Sequence, residues 1–232
     1  MRVLGVDWGG GGGKESATGI CVIGKNYAVN HFETLYINRL PTGMTPEQEA
    51  SFVDRIASEF EVDFIAPDYP GAGFMREAFF LNVFPQWKDR VFPVSYSYKP
   101  TSDLVTVSGT GSRNSYVVDK TKSLLLTIGC IKHAVLTVPW FDPLDPKAPQ
   151  LDFLAIIEHE QKTSDESATG NEVLRGSSVY LLDKVSEVRD DAAQAANIAF
   201  IAMCHTLGVY PVIHYDSKFD ISEEQYRMLA GD

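Results

Sequence analysis

Apolar and polar positions along this chain change period several times, and the changes mark its elements. Val3-Leu4-Gly5-Val6 is an apolar run too brief for a helix; it closes on Asp7 and breaks into the glycines Gly9–Gly13. The pattern predicts a buried strand that carries a carboxylate to the rim of a sheet. Thr18–Gly24 reads as a second strand, Lys25-Asn26 as a turn, and the alternation over 28–37 as a third strand, together an antiparallel meander. Thr45-Pro46-Glu47-Gln48 opens a helix over about 46–60, with Phe52, Ile56 and Phe60 on its apolar side. Phe64-Ile65-Ala66 is then a buried strand reached by a helical crossover, so it is expected to run parallel to the first. It ends at Pro67-Asp68, on the same sheet edge as Asp7.

Further along, 74–83 reads as a helix and 90–96 as a fifth strand. The polar stretch 99–115 is a loop or hairpin, and 116–136 predicts a longer helix with Leu124, Ile128, Ile131 and Val135 at core spacing. Four prolines between Val138 and Gln150 end it. A short helix is expected over 151–160, one arm of a hairpin at 178–182, and a final helix over 191–207 whose inner face is built from Ala192, Ala195, Ala196 and Ala199. Residues 208–232 carry no clear pattern and read as an appendage. No repeat or linker divides the chain, so the expectation is one α/β domain over 1–232, with a mixed sheet flanked by helices.

Composition changes this picture little. Hydrophobic and charged fractions of 44% and 22% are those of an ordinary globular protein. Neither a membrane span nor an export signal is apparent, and Cys21, Cys130 and Cys204 read as buried free thiols, so a reducing cytoplasm is expected. The formal charge of −11 argues against gripping nucleic acid through a global positive field. It is compatible with carboxylates that are clustered and neutralised by bound cations.

Three places offer such carboxylates: Asp7, Asp68, and the pair Asp190-Asp191 at the start of the last helix. Each has an ordinary explanation. Asp7 and Asp68 sit in turn-like surroundings, and Asp190 could be an N-cap contributing ~1 kcal/mol. Asp63 opens its strand and belongs to the opposite edge. Taken together, acids from separate elements at one rim would repel one another unless bound to hard cations such as Mg2+ or Mn2+. Two such ions about 3.5–4 Å apart can activate water for phosphodiester hydrolysis. A Walker A loop at Gly13-Lys14 fails, because Trp8 stands at the first glycine position and Glu15 at the Ser/Thr position. Asp7-Trp8-Gly9-Gly10 is similar to the first phosphate loop of sugar kinases, without a second half. The five histidines are scattered, and Lys99, Arg113, Lys120 and Lys122 flank the polar loop, where they read first as a solvated face and second as phosphate contacts.

The order strand-Asp7, meander, helix, strand-Asp68, then Arg189-Asp190-Asp191-Ala192-Ala193-Gln194 at the last helix resembles the ribonuclease H-like superfamily. Within it, the chain is similar over about 1–207 to the C-terminal nuclease domain of tailed-bacteriophage large terminase subunits. That resemblance implies a central five-stranded mixed sheet, an extra hairpin near the active site (about 161–185), and two Mg2+ or Mn2+ ions held by Asp7, Asp68, Asp190 and Asp191. It implies an endonuclease with little sequence preference that cuts concatemeric double-stranded viral DNA in the host cytoplasm. Its partners would be a packaging ATPase domain, the portal and the small terminase subunit. Val188 stands where some relatives carry a histidine, and Gln194 where a further acid is common. A Holliday-junction-resolvase-like nuclease and a non-catalytic binding domain of the same fold are the alternatives.

Overall fold

The computed structural model describes residues 1–9, 17–28, 30–97, 103–109, 114–162, 178–184 and 189–212. The glycines after Gly9 with Lys14 and Glu15, Lys99, Arg113, the middle of the expected hairpin, Val188 and nearly all of the expected appendage lie outside them.

The core is a mixed five-stranded sheet in the order β4-β1-β2-β3-β8, formed by Arg2–Asp7 (β1), Gly19–Asn26 (β2), His31–Arg39 (β3), Phe64–Pro67 (β4) and Leu136–Thr137 (β8). β1, β2 and β3 form the expected antiparallel meander, and β4 pairs parallel to β1 with Val6 opposite Pro67. Helices Pro46–Glu59 (α1), Ala72–Val83 (α2), Lys120–Lys132 (α3) and Asp191–Leu207 (α4) complete the α/β arrangement. α1 opens with a full capping box between Thr45 and Gln48, as its sequence predicts.

Strand alternation divides the apolar side chains into two layers. Leu4, Val6, Trp8, Ile20 and Val22 pack with α1 and α2 residues on one face. Val3, Cys21 and Ile23 pack with α4 on the other, so Asp7 belongs to the α4 face. α4 is buried from Asp191 to Cys204 and comes unusually close to the sheet. A Cβ placed on Gly5 would stand 2.0 Å from the Ala195 carbonyl oxygen, and one on Gly19 would stand 2.1 Å from that of Asp191. Two glycines facing a run of alanines set this distance, and it brings the start of α4 to the edge where β1 ends.

Three expectations need correction. The strand expected at 90–96 touches β4 only through bridges at Val91 and Val94, and Val94–Ser97 (β5) joins a second sheet, β5-β7-β6, with Val105–Ser108 (β6) and Ser115–Asp119 (β7). Pro93, lacking an N–H, interrupts the ladder between the two bridges; β8, beside β3, is the fifth strand of the main sheet instead. The long helix begins at Lys120 rather than Tyr116, because Tyr116-Val117-Val118 favours an extended strand and Asp119 caps the helix by accepting from the Lys122 N–H at 2.9 Å. The helix expected at 151–160 is a 3-10 turn, Pro149–Ala155, followed by Ile156–Lys162 (β9), which pairs antiparallel with Ser178–Lys184 (β10). The hairpin arm at 178–182 therefore stands, with its partner strand where a helix was expected.

Among the described residues no helix is long and apolar enough to cross a membrane. All three cysteines are buried and free.

Candidate functional site

Strand direction determines which side chains meet. β1 runs parallel to β4, the chain at Val94 runs parallel to β4 beside Asp68, and β5 runs parallel to β7. All four strands therefore end at one edge. Asp7 closes β1, Asp68 follows β4 with its N–H donating to the Val6 carbonyl at 2.7 Å, and Asp119-Lys120 forms the junction of β7 and α3. Asp190 and Asp191 enter the same edge on α4. Asp63 lies at the other end, where its carboxylate accepts from the Arg2 N–H at 2.8 Å, as its place in the strand predicts.

Asp7 senses the other three acids electrostatically. Desolvation, then the carboxylates of Asp68, Asp191 and Asp190, push Asp7 well above the ordinary aspartate range, and the Lys120 ammonium pulls it back. Burial pushes Asp68 up to about 6, again opposed in part by Lys120. The Tyr96 phenol, on β5, is raised by burial and by Asp7, Asp68 and Asp190. Asp7 and Asp68 keep partial exposure at the mouth of the site, whereas Asp190 and Asp191 are each only 7% exposed.

The start of α4 decides between capping and chemistry for the Asp190-Asp191 pair. Asp190 occupies the N-cap position, yet its side chain makes no capping hydrogen bond. Its carboxylate accepts instead from the Gln194 side-chain amide at 2.9 Å. The Ala192 N–H, which a capping side chain would satisfy, donates at 2.7 Å to Asp152, a residue of the 3-10 turn. Asp152 is buried, pairs with Arg39 at 3.5 Å, and is raised chiefly by its burial. The Arg39 guanidinium is itself tied to the Lys147 and Ala148 carbonyls at 2.9 and 3.2 Å. Capping of α4 is thus supplied from outside the helix, and Asp190 and Asp191 are not needed for it.

Neighbouring networks hold the edge in shape. The Gly9 N–H donates to Thr18 Oγ1 at 3.1 Å, and the Thr18 hydroxyl donates to the buried Glu49 carboxylate at 3.0 Å, which is paired with Arg76. This chain of contacts fastens both described ends of the glycine-rich connection. On the other flank Asn197, fully buried on α4, accepts from Thr127 at 2.7 Å and donates to Tyr96 at 2.7 Å and Ser123 at 3.0 Å. Ser123 in turn donates to the Lys120 carbonyl at 2.9 Å.

The structure brings Asp7, Asp68, Asp190 and Asp191 to one edge, as the sequence reading expects of its candidate ligands; that reading missed the supporting Asp152 and put Lys120 first on a solvated face. Lys120 is only 7% exposed and belongs to the acidic edge, not to a solvated face. The Asp119 cap, followed by lysine at the first helical position, was the available signal for it. Asp152 had no local signal, since only tertiary packing brings the 3-10 turn beneath α4.

The donor set is all oxygen, which suits a hard divalent cation. The Gln194 side-chain oxygen, beside Asp190, is buried without a hydrogen-bond partner among the described residues. Within that same set, no group of three or more acids, histidines or cysteines is gathered closely enough to hold an ion as the side chains stand. The edge concentrates negative charge; a common ion would require its carboxylates to turn inward. Searches against protein-family models and against curated proteins return no match for this chain.

Proposed function

We propose that this protein is a metal-dependent endonuclease of ribonuclease H-like fold, acting on double-stranded DNA. One observation carries the reading: Asp7, Asp68, Asp190 and Asp191, from three separate elements, share one sheet edge closely enough to raise the affinity of Asp7 for its proton. Such crowding is unfavourable in the bare protein and becomes favourable when a cation is bound. The external cap from Asp152 supports the same reading, since it takes over the capping of α4 while Asp191 accepts from the Ala17 N–H at 3.4 Å and Asp190 from Gln194. So does the mixed sheet, whose two parallel neighbours deliver Asp7 and Asp68 to adjacent positions.

In this reading Asp7, Asp68 and Asp191 would hold the two ions, with Asp190 assisting. The Gln194 side-chain oxygen is a further neutral donor at the same place. Bound Mg2+ or Mn2+ would supply an activated water and Lewis acidity toward the phosphodiester. The chain's own contribution is to fix the acids on rigid elements, to limit water through the buried start of α4, and to keep Asp7 and Asp68 accessible at the mouth. The order of motifs is the basis for the finer proposal, a nuclease domain like that of the phage large terminase subunit, working with a packaging ATPase domain, portal and small terminase subunit. A net charge of −11 fits such dependence on partners for grip on DNA.

Supercoiled plasmid incubated with the protein and Mn2+, Mg2+ or EDTA tests the activity. Nicking and linearisation with the metals, lost in EDTA and in Asp7→Asn, is the expected result. Intact plasmid under every condition would leave a non-catalytic binding domain as the better reading.

A further inference from the structure

Lys120 is a buried basic residue of the acidic edge to which the metal chemistry assigns no role. Lys120 is the first residue of α3, and β7, which leads into it, runs parallel to β5 and hence to β4 and β1. Topology therefore carries its backbone past the same edge that Asp7 and Asp68 close. A hydrogen-bond chain holds it there: its carbonyl accepts from Ser123, Ser123 is held by Asn197 of α4, and Asn197 is held by Tyr96 and Thr127. Asn197 joins the helix bearing Asp190-Asp191 to the helix bearing Lys120 through its buried contacts with Thr127 and Ser123, so the two helices are positioned together. Lys120 is only 7% exposed, so its charge acts within this edge and not in bulk solvent. Its charge also reaches Asp7 and Asp68, favouring their ionised forms.

We propose that Lys120 is a phosphate-contacting residue of this site, placed to engage a non-bridging oxygen of the nucleic-acid backbone beside Asp7 and Asp68. The inference rests on the nuclease reading and adds to it the group that receives the substrate. An ammonium is a compact point charge with three donors, suited to a phosphate whose approach to four carboxylates would otherwise be repulsive. The arrangement also accounts for how a strongly acidic chain accepts a polyanion at this place: a local cation lies within the acidic edge while the overall field is negative.

The test is binding of a short fluorescein-labelled DNA duplex, followed by anisotropy in Ca2+ over a series of salt concentrations, for wild type, Lys120→Met and Lys120→Arg. The expected result is affinity about 10-fold weaker for Lys120→Met, with a salt slope lower by about one, and substantial recovery in Lys120→Arg. If Lys120 only offsets the charge of its acidic neighbours, Lys120→Met will melt at lower temperature in EDTA and bind Mn2+ more tightly, with duplex affinity and salt slope unmoved; that result overturns the proposal. Should Lys120→Met fail to fold by circular dichroism, Lys120→Gln is judged by the same criteria. Plasmid nicking by the wild type separates the two levels. Wild type that nicks while Lys120→Met binds and nicks equally well removes Lys120 and leaves the nuclease reading standing; wild type that neither nicks nor binds the duplex removes both.

Discussion

Asp68 shows how a single carboxylate links this site to stability. Its folded value of about 6 lies above the 3.8 of a free aspartate, so between those values the folded chain binds more protons than the unfolded one. Its contribution is therefore favourable at low pH and is lost as pH rises through about 6. In EDTA the melting temperature is expected to fall over that window, and Asp68→Asn, which cannot ionise, should flatten the fall. Mg2+ or Mn2+ should restore stability above the window by binding the ionised form. Calorimetric melts across pH, with and without metal, check both expectations; a wild-type curve that rises through the window would contradict them. Asp7→Asn should reduce nicking by more than about 100-fold, the upper range for disturbing a metal site through its supporting partners, while leaving the melt in EDTA unchanged or higher.

At this scale the sequence was partly legible. The position of Asp7 and Asp68 at strand ends followed from short apolar runs, and the register of β1 with β4 put them side by side. Asp152 was not legible, because its significance depends on the Ala192 N–H above it and on Arg39 from β3, neither of which is near it in sequence.

Among the elements, α4 and its contact with the sheet dominate. The alanine face was visible in the sequence, but the matching absence of a side chain at Gly5 and Gly19 was not, since a glycine in a strand has several possible reasons. Gly5→Ala would force its new methyl against the Ala195 carbonyl and the Ala199 amide of the helix backbone, neither of which can turn aside. The expected loss is about 1–3 kcal/mol, in the range of overpacked cores, and the start of α4 should shift with it. Denaturant unfolding would measure the first and metal affinity the second; an unchanged midpoint would contradict the close packing. Asp152→Asn should destabilise by about 1–2 kcal/mol, since α4 would lose a charged cap and Arg39 its buried partner.

The misread elements share a cause. Tyr116–Asp119 and Ile156–Lys162 are strands whose partners lie elsewhere in the chain, so local periodicity had little to distinguish them from helix. α1 opens on its own capping box and α4 ends at Gly208 in the left-handed conformation, and both were readable to within a residue or so.

For the whole molecule, an acidic chain has concentrated part of its negative charge at one edge, reinforced that edge with hydrogen-bond networks on two flanks, and placed one buried lysine inside it. The two sheets arrange this together, since β1 and β4 of one and β5 and β7 of the other run parallel toward the same edge. The central claim is that these carboxylates are ligands, and crystals soaked in Mn2+ and measured at the manganese edge test it most directly. The account predicts anomalous peaks between Asp7 and Asp68 and between Asp7 and the Asp190-Asp191 pair, with the carboxylates turned inward to meet them. A fully soaked crystal with no peak at this edge, and the acids still in their metal-free positions, would contradict it.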